Sequence, residues 1–442
     1  MLPYMWYKYF IRKEDKNVKI DLLKQRLAQA DALPVFETLY GTKKEVLCAQ
    51  KERYRKALFR FLELYPEREE ASVFSAPGRT EIGGNHTDHQ HGCVLAAAVQ
   101  LDIVGIAAFH TDGVIRICSE GYAPFTVELA DLSVQVGEKG SAAIVRGIVS
   151  RFAELGVTVG GFDLYCTSDV LAGSGISSSA AFETLIGTII DTYYNNGQAG
   201  AVEIAKNGQY AENVYFGKKC GLMDQMASSV GGLVFIDFAD TAAPVIEPFA
   251  FDFEKAGYCI CVTDTGGNHV NLTPDYVAVR SEMESVAAQF GKEYLRQVEE
   301  TDFWQELPRL RKNCSDRAVL RAVHFFSDNR RAREEAEALR AGDVDLFLKL
   351  VQESGDSSEA LLQNLYSTSA PTEQAIPLGV MISKRILAGK GAVRVHGGGF
   401  AGTIQAFVPL ELVENYVTEM ERVFGEGACY VFRIRPVGGV EL

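Results

Sequence analysis

The chain has 442 residues, of which 47% are apolar and 23% are charged, and its formal net charge is -14. This length suits two globular domains better than one core, and the composition excludes a disordered or low-complexity scaffold. The acidic balance argues against nucleic acid as a partner, because the phosphate backbone would be repelled.

The first 68 residues are charged and favour helices. Two stretches, DLLKQRLAQADAL and KKEVLCAQKERYRKALFRFLELY, predict amphipathic helices that pack on the main body. The first 20 residues are aromatic but interrupted by Lys8, Arg12 and Lys13, so they lack the uncharged core of a signal peptide. No stretch has the length and apolar character of a membrane span. We therefore expect a cytoplasmic protein without a membrane partner.

From Val73 the pattern changes to a short predicted strand, SVFSA, followed by a polar segment, PGRTEIGGNHTDHQHG, that we interpret as a loop. The loop contains Arg79, Glu81, Asn85, His86, Asp88, His89 and His91. Its imidazoles and carboxylate are competent metal ligands. The same groups suit a site for a polyol, whose hydroxyls both donate and accept hydrogen bonds. A solvated turn without function is the third interpretation, and the spacing leaves all three open.

The second glycine-rich segment, AGSGISSSA, follows predicted strands in VLAAAVQLDIVGIAAF, GVIRICSE and GFDLYCTS and opens into the helical pattern AAFETLIGTIIDTYY. Unpaired N–H groups and the helix dipole favour an anion at such an N-terminus, and glycines allow it to approach closely. The chain lacks the GxxxxGK[ST] pattern of a Walker A loop. On its own, the segment fits a helix cap as well as a phosphate cradle.

The third motif, CGLMDQMASS, places Asp224 among apolar and small residues, and Glu212 lies 12 positions earlier on a predicted helix. A buried carboxylate is costly unless it is paired or serves in proton transfer. A lone aspartate of this kind fits a structural role as well as a catalytic one.

After residue 250 the pattern is a strand, GYCICVT, several helices, and a third glycine-rich loop, AVRVHGGGFAGT, before the closing strand CYVFRIR. Strand and helix blocks do not alternate strictly, which predicts an α+β fold. The nine cysteines show no CxxC or zinc spacing, so we expect reduced thiols. Cys259 and Cys261 are predicted to face opposite sides of their strand.

Together and in this order, the motifs resemble those of the GHMP kinase superfamily and, within it, the galactokinases. Pro77 to His89 matches the PGR…GxxHTDH signature, GSGISSSAAFE the phosphate loop, GLMDQMAS the catalytic segment and VHGGGFAGT the third glycine loop. The resemblance runs from about Phe59 to the C-terminus. It implies a two-domain α+β GHMP kinase fold with the active site in the cleft between the domains. A helical extension would span 1–68, a ribosomal-S5-like domain 69–250, and an α/β sandwich domain 251–442.

The implied activity is phosphorylation of galactose by ATP at the anomeric hydroxyl, with Asp224 as the base and Arg79 as the cation beside it. The resemblance implies sugar contacts from Asn85, His86, Asp88, Gly221 and Tyr276, and a cleft floor shaped by Gly397 to Gly399. It implies ATP contacts from Gly173, Ser174, Gly175, Ile176, Ser177, Ser178 and Ser179, and Mg²⁺ ligands in Ser178 and Glu212. The expected partners are small molecules only, a sugar and ATP, and we expect a monomer or weak homodimer.

Several positions depart from the galactokinase pattern. Asn85 replaces the glutamate that accepts from the sugar 6-hydroxyl, so galacturonate or another 6-modified galactose remains an alternative substrate. His89 replaces a tyrosine and is expected to add positive charge at low pH, and Glu81 replaces an asparagine. SAAIVRG (141–147) lacks the aromatic residues that commonly flank adenine. A non-catalytic sugar sensor is disfavoured because the phosphate loop and Asp224 are intact.

Overall fold

The structure is a computed structural model that describes residues 18–135, 137–138, 140–170, 176–218, 220–267 and 272–442. The strands are β1 (Val18–Lys19), β2 (Glu70–Gly83), β3 (Cys93–Phe109), β4 (Val114–Ser119), β5 (Phe125–Glu128), β6 (Phe162–Ser168), β7 (Leu233–Asp237), β8 (Val245–Phe249), β9 (Tyr258–Asp264), β10 (Ala392–His396), β11 (Thr403–Pro409), β12 (Cys429–Phe432) and β13 (Val440–Glu441). The α-helices are α1 (Ile20–Ala28), α2 (Pro34–Tyr40), α3 (Lys44–Leu64), α4 (Ser141–Glu154), α5 (Ser178–Tyr194), α6 (Gly200–Tyr210), α7 (Met223–Val230), α8 (Thr273–Ala288), α9 (Glu300–Gln305), α10 (Leu307–Asn313), α11 (Asp316–Ala341), α12 (Val344–Ser357), α13 (Ala375–Leu387) and α14 (Val413–Phe424). Two π-helical turns, Ala211–Phe216 and Ser358–Leu362, continue α6 and α12 without a break.

The larger sheet is built around β2 and β3, which pair antiparallel along most of their length. Its strand order is β1-β2-β3-β6-β4-β5. In addition, β7 pairs with β3, β8 pairs with β7, and β13 pairs with β2. Alternate side chains of β2 are buried on opposite faces. Phe74 packs in the core formed with α4 and α5, while Val73 packs against the N-terminal helices. Both predicted N-terminal amphipathic helices are thus confirmed as α1 and α3, covering one face of this sheet.

The first polar motif is not the loop that the sequence predicted, because β2 continues through it as far as Gly83. The pairing of β2 with β3 shifts register between Pro77 and Arg79 and again between Glu81 and Gly83. Such irregularities let a strand accommodate proline and redirect its side chains. Polar residues at these positions are therefore buried in a sheet, and only the part from Gly84 onward forms a turn.

The smaller sheet is antiparallel in the order β10-β11-β9-β12. Helices α13 and α14 pack on one face, and α11 and α12 fill the space between its other face and the larger sheet. The prediction for Cys259 and Cys261 is wrong: their Sγ atoms lie 3.8 Å apart, since residues two positions apart on a strand share a face. All nine cysteines are free thiols.

The two sheets and the helices that cover them confirm the predicted α+β architecture. The last strand, β13, returns to the larger sheet, where Val440 pairs with Ser75. The domain limits at 68 and 250 remain predictions. Within the described ranges, no helix is both long and apolar enough to cross a membrane.

Candidate active site

Three of the predicted site residues meet around one carboxylate. Arg79, near the end of β2, donates from Nε to Oδ1 of Asp224 at 2.6 Å and from Nη2 to Oδ2 at 2.7 Å. Ser177 donates from Oγ to the same Oδ2 at 2.9 Å. Asp224 lies in the first turn of α7, and Ser177 directly precedes α5 with a left-handed φ of 58°. A strand and two helix N-termini thus converge on this aspartate.

The electrostatic surroundings keep Asp224 ionised. Burial alone would raise the pKa of its carboxyl, but the charge of Arg79 and the hydrogen bonds from Arg79 and Ser177 outweigh burial and lower it below the ordinary value. Oδ1 accepts one of these bonds and Oδ2 accepts two. Since each carboxylate oxygen has about two acceptor sites, Oδ1 can accept one more donor.

The phosphate-loop residues that the structure describes, Ile176 to Ser179, lie against this centre. The backbone N–H of Arg79 donates to the carbonyl of Ile176 at 3.0 Å. A Cβ on Gly78 would stand 2.7 Å from Ile176 Cγ2, so only glycine permits this close approach of β2 to the loop. Ser178 opens α5, where its first-turn N–H groups suit an anion. Gly173, Ser174 and Gly175 lie outside the described residues.

The turn after β2 supplies the predicted sugar-binding side chains. The backbone N–H of His89 donates a hydrogen bond to Asp88 Oδ1 at 2.8 Å. A Cβ on Gly221 would lie 2.5 Å from Asp88 Oδ2, so the glycine before α7 brings this carboxylate beside the Asp224 segment. Burial raises the pKa of Asp88, partly opposed by His86 and the His89 N–H. His86 Nε2 lies 2.8 Å from the Gly398 carbonyl.

Asn85 is fully buried, and its amide is already engaged by protein groups. Nδ2 donates to Glu81 Oε1 at 3.0 Å and to the Gly397 carbonyl at 2.8 Å. Oδ1 accepts from Asn364 Nδ2 at 2.9 Å and from Ser358 Oγ at 3.4 Å. These four bonds use the full capacity of a primary amide. Asn85 therefore ties the sugar-loop region to the third glycine loop, and its contact with a sugar remains a prediction.

Tyr276 contacts the glycine loop at 397–399. The sequence predicted a role for each in the site but not the contact between them. The Tyr276 hydroxyl donates to the Gly399 carbonyl at 3.0 Å, and a Cβ on Gly398 would stand 2.6 Å from the tyrosine ring. The absence of a side chain at Gly398 therefore permits the tyrosine ring to approach the loop that contacts His86.

The structure does not support the metal-site interpretation of the histidines between residues 86 and 91. Within the part of the chain that the structure describes, no group of three or more His, Cys, Asp or Glu is placed to hold a metal ion. Burial, and then the charges of His86 and Arg280, lower the pKa of His89 well below its ordinary value. His89 is therefore neutral in mildly acidic solution as well as at neutral pH, and the expectation that it adds positive charge at low pH is wrong. His91 stacks on Tyr294 with ring centroids 3.8 Å apart.

Two buried residues from the C-terminal half of the chain contact the first polar motif, and the sequence analysis did not predict either of them. Arg394 on β10 forms an ion pair with Glu81 and donates from Nη1 to the Ile82 carbonyl at 2.6 Å. His396 bridges Thr80 Oγ1 at 3.0 Å and Thr403 Oγ1 at 2.9 Å. Burial, and the charges of Arg79 and Arg394, lower the pKa of His396 to about 3, so the bridge is a neutral imidazole.

The candidate cation ligand, Glu212, lies in the π-helical turn that continues α6. Oε1 accepts from Lys218 Nζ at 2.9 Å, and Oε2 accepts from Gln225 Nε2 at 3.0 Å. The same Nε2 donates to Glu183 Oε2 at 2.9 Å. Burial and the nearby charge of Glu212 raise the pKa of Glu183 to about 8. π-Helical turns occur often at functional sites. The motif GLMDQMAS contributes two side chains to this region, Asp224 and Gln225.

Glu212 and Ser178 stay the predicted Mg²⁺ ligands. The Glu212 carboxylate and the Ser178 hydroxyl are hard ligands of the kind that Mg²⁺ takes from proteins, with substrate phosphates completing its shell. Glu183 Oε1 is a buried oxygen without a hydrogen-bond partner behind Glu212.

Comparisons with known proteins show which proteins this chain resembles. Residues 60–109 match the model of the galactokinase galactose-binding signature, and residues 143–232 match that of the GHMP kinases N-terminal domain. The crystal structure of Lactococcus lactis galactokinase complexed with galactose is similar over 87% of this chain and 98% of that chain, with a TM-score of 0.73 and 22% identity. Methanococcus jannaschii mevalonate kinase is similar over 82% and 98%, with a TM-score of 0.58 and 14% identity. Streptococcus pneumoniae phosphomevalonate kinase in complex with phosphomevalonate and AMPPNP is similar over 84% and 99%, with a TM-score of 0.55 and 11% identity.

The N-terminal domain match, together with the similarity of fold, therefore indicates a kinase with the GHMP fold, a class that uses ATP as co-substrate. The second match is more particular, since the galactokinase signature covers the segment that contributes Arg79, Asn85, His86 and Asp88. The chain therefore carries a GHMP kinase N-terminal domain and the galactokinase galactose-binding signature, which together indicate a sugar kinase. Both matches bear out the resemblance that the sequence motifs predicted.

Proposed function

We propose that the protein transfers the γ-phosphate of ATP to the anomeric hydroxyl of galactose, forming galactose 1-phosphate. The observation that carries the proposal is Asp224, whose carboxylate is fixed by Arg79 and Ser177 and whose Oδ1 retains acceptor capacity. A hydroxyl presented to that oxygen is oriented by it and can lose its proton to it. The galactokinase signature supports galactose as the sugar.

The pKa of Asp224 limits how the proton moves. A carboxylate whose pKa is depressed is a weak base, so it accepts the proton late, when the bond from phosphorus to ADP is already weakened. The loose transition state of phosphoryl transfer allows this order, because it needs positioning more than a strong nucleophile. Arg79 keeps Asp224 ionised and adds positive charge beside the reacting oxygen.

The remaining site residues would bind the two substrates. Asp88 and His86, with Gly221 beside them, would contact sugar hydroxyls, and Tyr276 would cover the ring. The first-turn N–H groups of α5 would receive the phosphates of ATP. Glu212 and Ser178 would hold Mg²⁺, which supplies charge neutralisation for the transferred group.

The test is ATP-dependent phosphorylation of galactose, galacturonate, N-acetylgalactosamine, glucose and arabinose by the wild type and by Asp224→Asn. Asparagine keeps the shape of the side chain but removes its charge and basicity. We expect turnover of galactose, a loss of at least about a hundredfold in kcat for the variant, and little change in KM. Equal kcat in the variant, or no turnover of any sugar by the wild type, contradicts the proposal.

Galacturonate is the second candidate, and two contacts favour it. Asn85 directs its amide to protein groups, and the carboxylate of Glu81 is neutralised by Arg394. Neither residue presents a free negative charge that would repel a carboxylate at C6. A kcat/KM for galacturonate at least equal to that for galactose would establish this substrate, and strict preference for galactose would exclude it.

A further inference from the structure

Lys218 is a cation in the candidate site to which neither the sequence motifs nor the signature matches give a role. It follows the left-handed Gly217 that ends the π-helical turn. Its backbone N–H donates to the Glu212 carbonyl at 3.0 Å, which folds it back over that residue. Its side chain is 62% exposed, whereas that of Glu212 is 5% exposed. The ammonium therefore lies on the open side of a buried carboxylate.

The oxygen that Lys218 contacts is one that a divalent cation would need. Glu212 Oε1 accepts from Lys218 at 2.9 Å, while Oε2 is held from the interior by Gln225. An ammonium and Mg²⁺ on the same carboxylate would repel each other at short range. A divalent cation bound at Glu212 Oε1 would therefore displace the ammonium, and the flexible four-carbon stem of lysine would let the head group move without a change in the backbone.

The displaced ammonium would be free to pair with an anion. Two of the arginines near the centre are already engaged, Arg79 with Asp224 and Arg394 with Glu81. The protein as a whole is acidic, with a net charge of -14, so a polyphosphate requires local positive charge. Phosphoryl transfer depends on cations that neutralise the transferred group.

We propose that Lys218 is a phosphate ligand of the nucleotide, held in reserve on Glu212 until a divalent cation takes that carboxylate. The exchange keeps Glu212 paired with a cation in both states and delivers the ammonium only when the nucleotide brings its metal. This inference rests on the proposed ATP-dependent function, but binding alone can test it, without a sugar.

The experiment compares Lys218→Met with Lys218→Arg, and with Lys206→Met on α6 as a matched control. Isothermal titration measures the affinity of each protein for the Mg²⁺ complex of the nonhydrolysable analogue AMPPNP, and separately for Mn²⁺ alone. For Lys218→Met we expect AMPPNP binding to weaken about tenfold, the effect of losing one charge-assisted hydrogen bond. Binding of Mn²⁺ alone should become tighter, because its competitor is gone. Lys218→Arg should retain most of the nucleotide affinity, and Lys206→Met should change neither value.

The opposite signs separate this role from a structural one. If Lys218 only held Glu212 in place, the methionine variant would bind both ligands more weakly, and the proposal would be wrong. Unchanged AMPPNP affinity in that variant would also overturn it. Absence of AMPPNP binding by the wild type would refute both this inference and the proposed function, whereas normal binding without sugar turnover would refute only the function. Because the side chain is exposed, we expect the variants to fold, and thermal melts verify this.

Discussion

At the scale of single residues, the site is organised by how charges are compensated. Asp224 is paired with an arginine and stays ionised, whereas burial raises the pKa of Glu183 to about 8. Burial also lowers the pKa of His89 and of His396, because it disfavours the charged imidazolium, so both side chains are neutral. The types of these residues were visible in the sequence, but their charge states depend on neighbours far away along the chain.

The pH dependence of activity tests the pairing of Arg79 with Asp224. The carboxyl must be ionised to accept a proton, and its lowered pKa puts the acid limb below the ordinary aspartate range. In Arg79→Met the burial that raises the pKa is no longer opposed by this charge, so the acid limb should move to higher pH. Arg79→Lys keeps the charge and should move it less.

The measurement is kcat/KM for the sugar between pH 3 and pH 8, with each protein scaled to its own maximum. An acid limb at the same pH in the methionine variant and the wild type would show that Asp224 does not control it.

At the scale of elements, three helical segments meet on one side chain. Gln225 on α7 donates to Glu183 on α5 and to Glu212 in the π-helical turn after α6. The sequence predicted the helices and placed Glu212 on one. It could not show that the residue after Asp224 contacts the candidate cation ligand, because Gln225 and Glu212 are 13 positions apart and lie on different helical segments.

We expect Gln225→Leu to weaken Mn²⁺ binding by about ten- to a hundredfold, the usual cost of losing a group that orients a metal ligand. The substitution keeps the bulk of the side chain but removes the donor that fixes Oε2 of Glu212. Mn²⁺ binding to the sugar-free protein by electron paramagnetic resonance measures the effect. Gln209→Leu on α6 is a control, since its amide contacts the Cys220 carbonyl instead. Equal affinity in Gln225→Leu and the wild type would exclude the orienting role.

At the scale of the whole molecule, the polar motif after residue 77 joins the two halves of the chain. Glu81 pairs with Arg394, Asn85 bonds to Asn364, and His396 contacts Thr80. The partner of Asn85 lies 279 positions further along. No local pattern reveals contacts at that separation. The sequence of this motif predicted a sugar site. The structure shows that Thr80, Glu81 and Asn85 of the motif connect the larger sheet to the region of the third glycine loop.

The stability of the molecule should therefore depend on the pair of Glu81 and Arg394. Both side chains are buried, and burial raises the pKa of Glu81 even with the arginine beside it. Arg394→Met would leave that carboxyl without its charged partner, and we expect unfolding free energy to fall by about 3–5 kcal/mol. Urea denaturation measures the change, and Arg340→Met, which removes an exposed pair with Glu247, should cost at most about 1 kcal/mol.

The double variant Glu81→Gln with Arg394→Met distinguishes a charge effect from loss of packing. If the cost of Arg394→Met comes from a stranded carboxylate, neutralising Glu81 as well removes much of that cost, and the double variant is more stable than Arg394→Met alone. If the destabilising effects of the two substitutions are instead additive, the lost stability comes from the other hydrogen bonds of Arg394, to the Ile82 and Val395 carbonyls. The ion pair would then contribute little to holding the sugar motif against the third glycine loop.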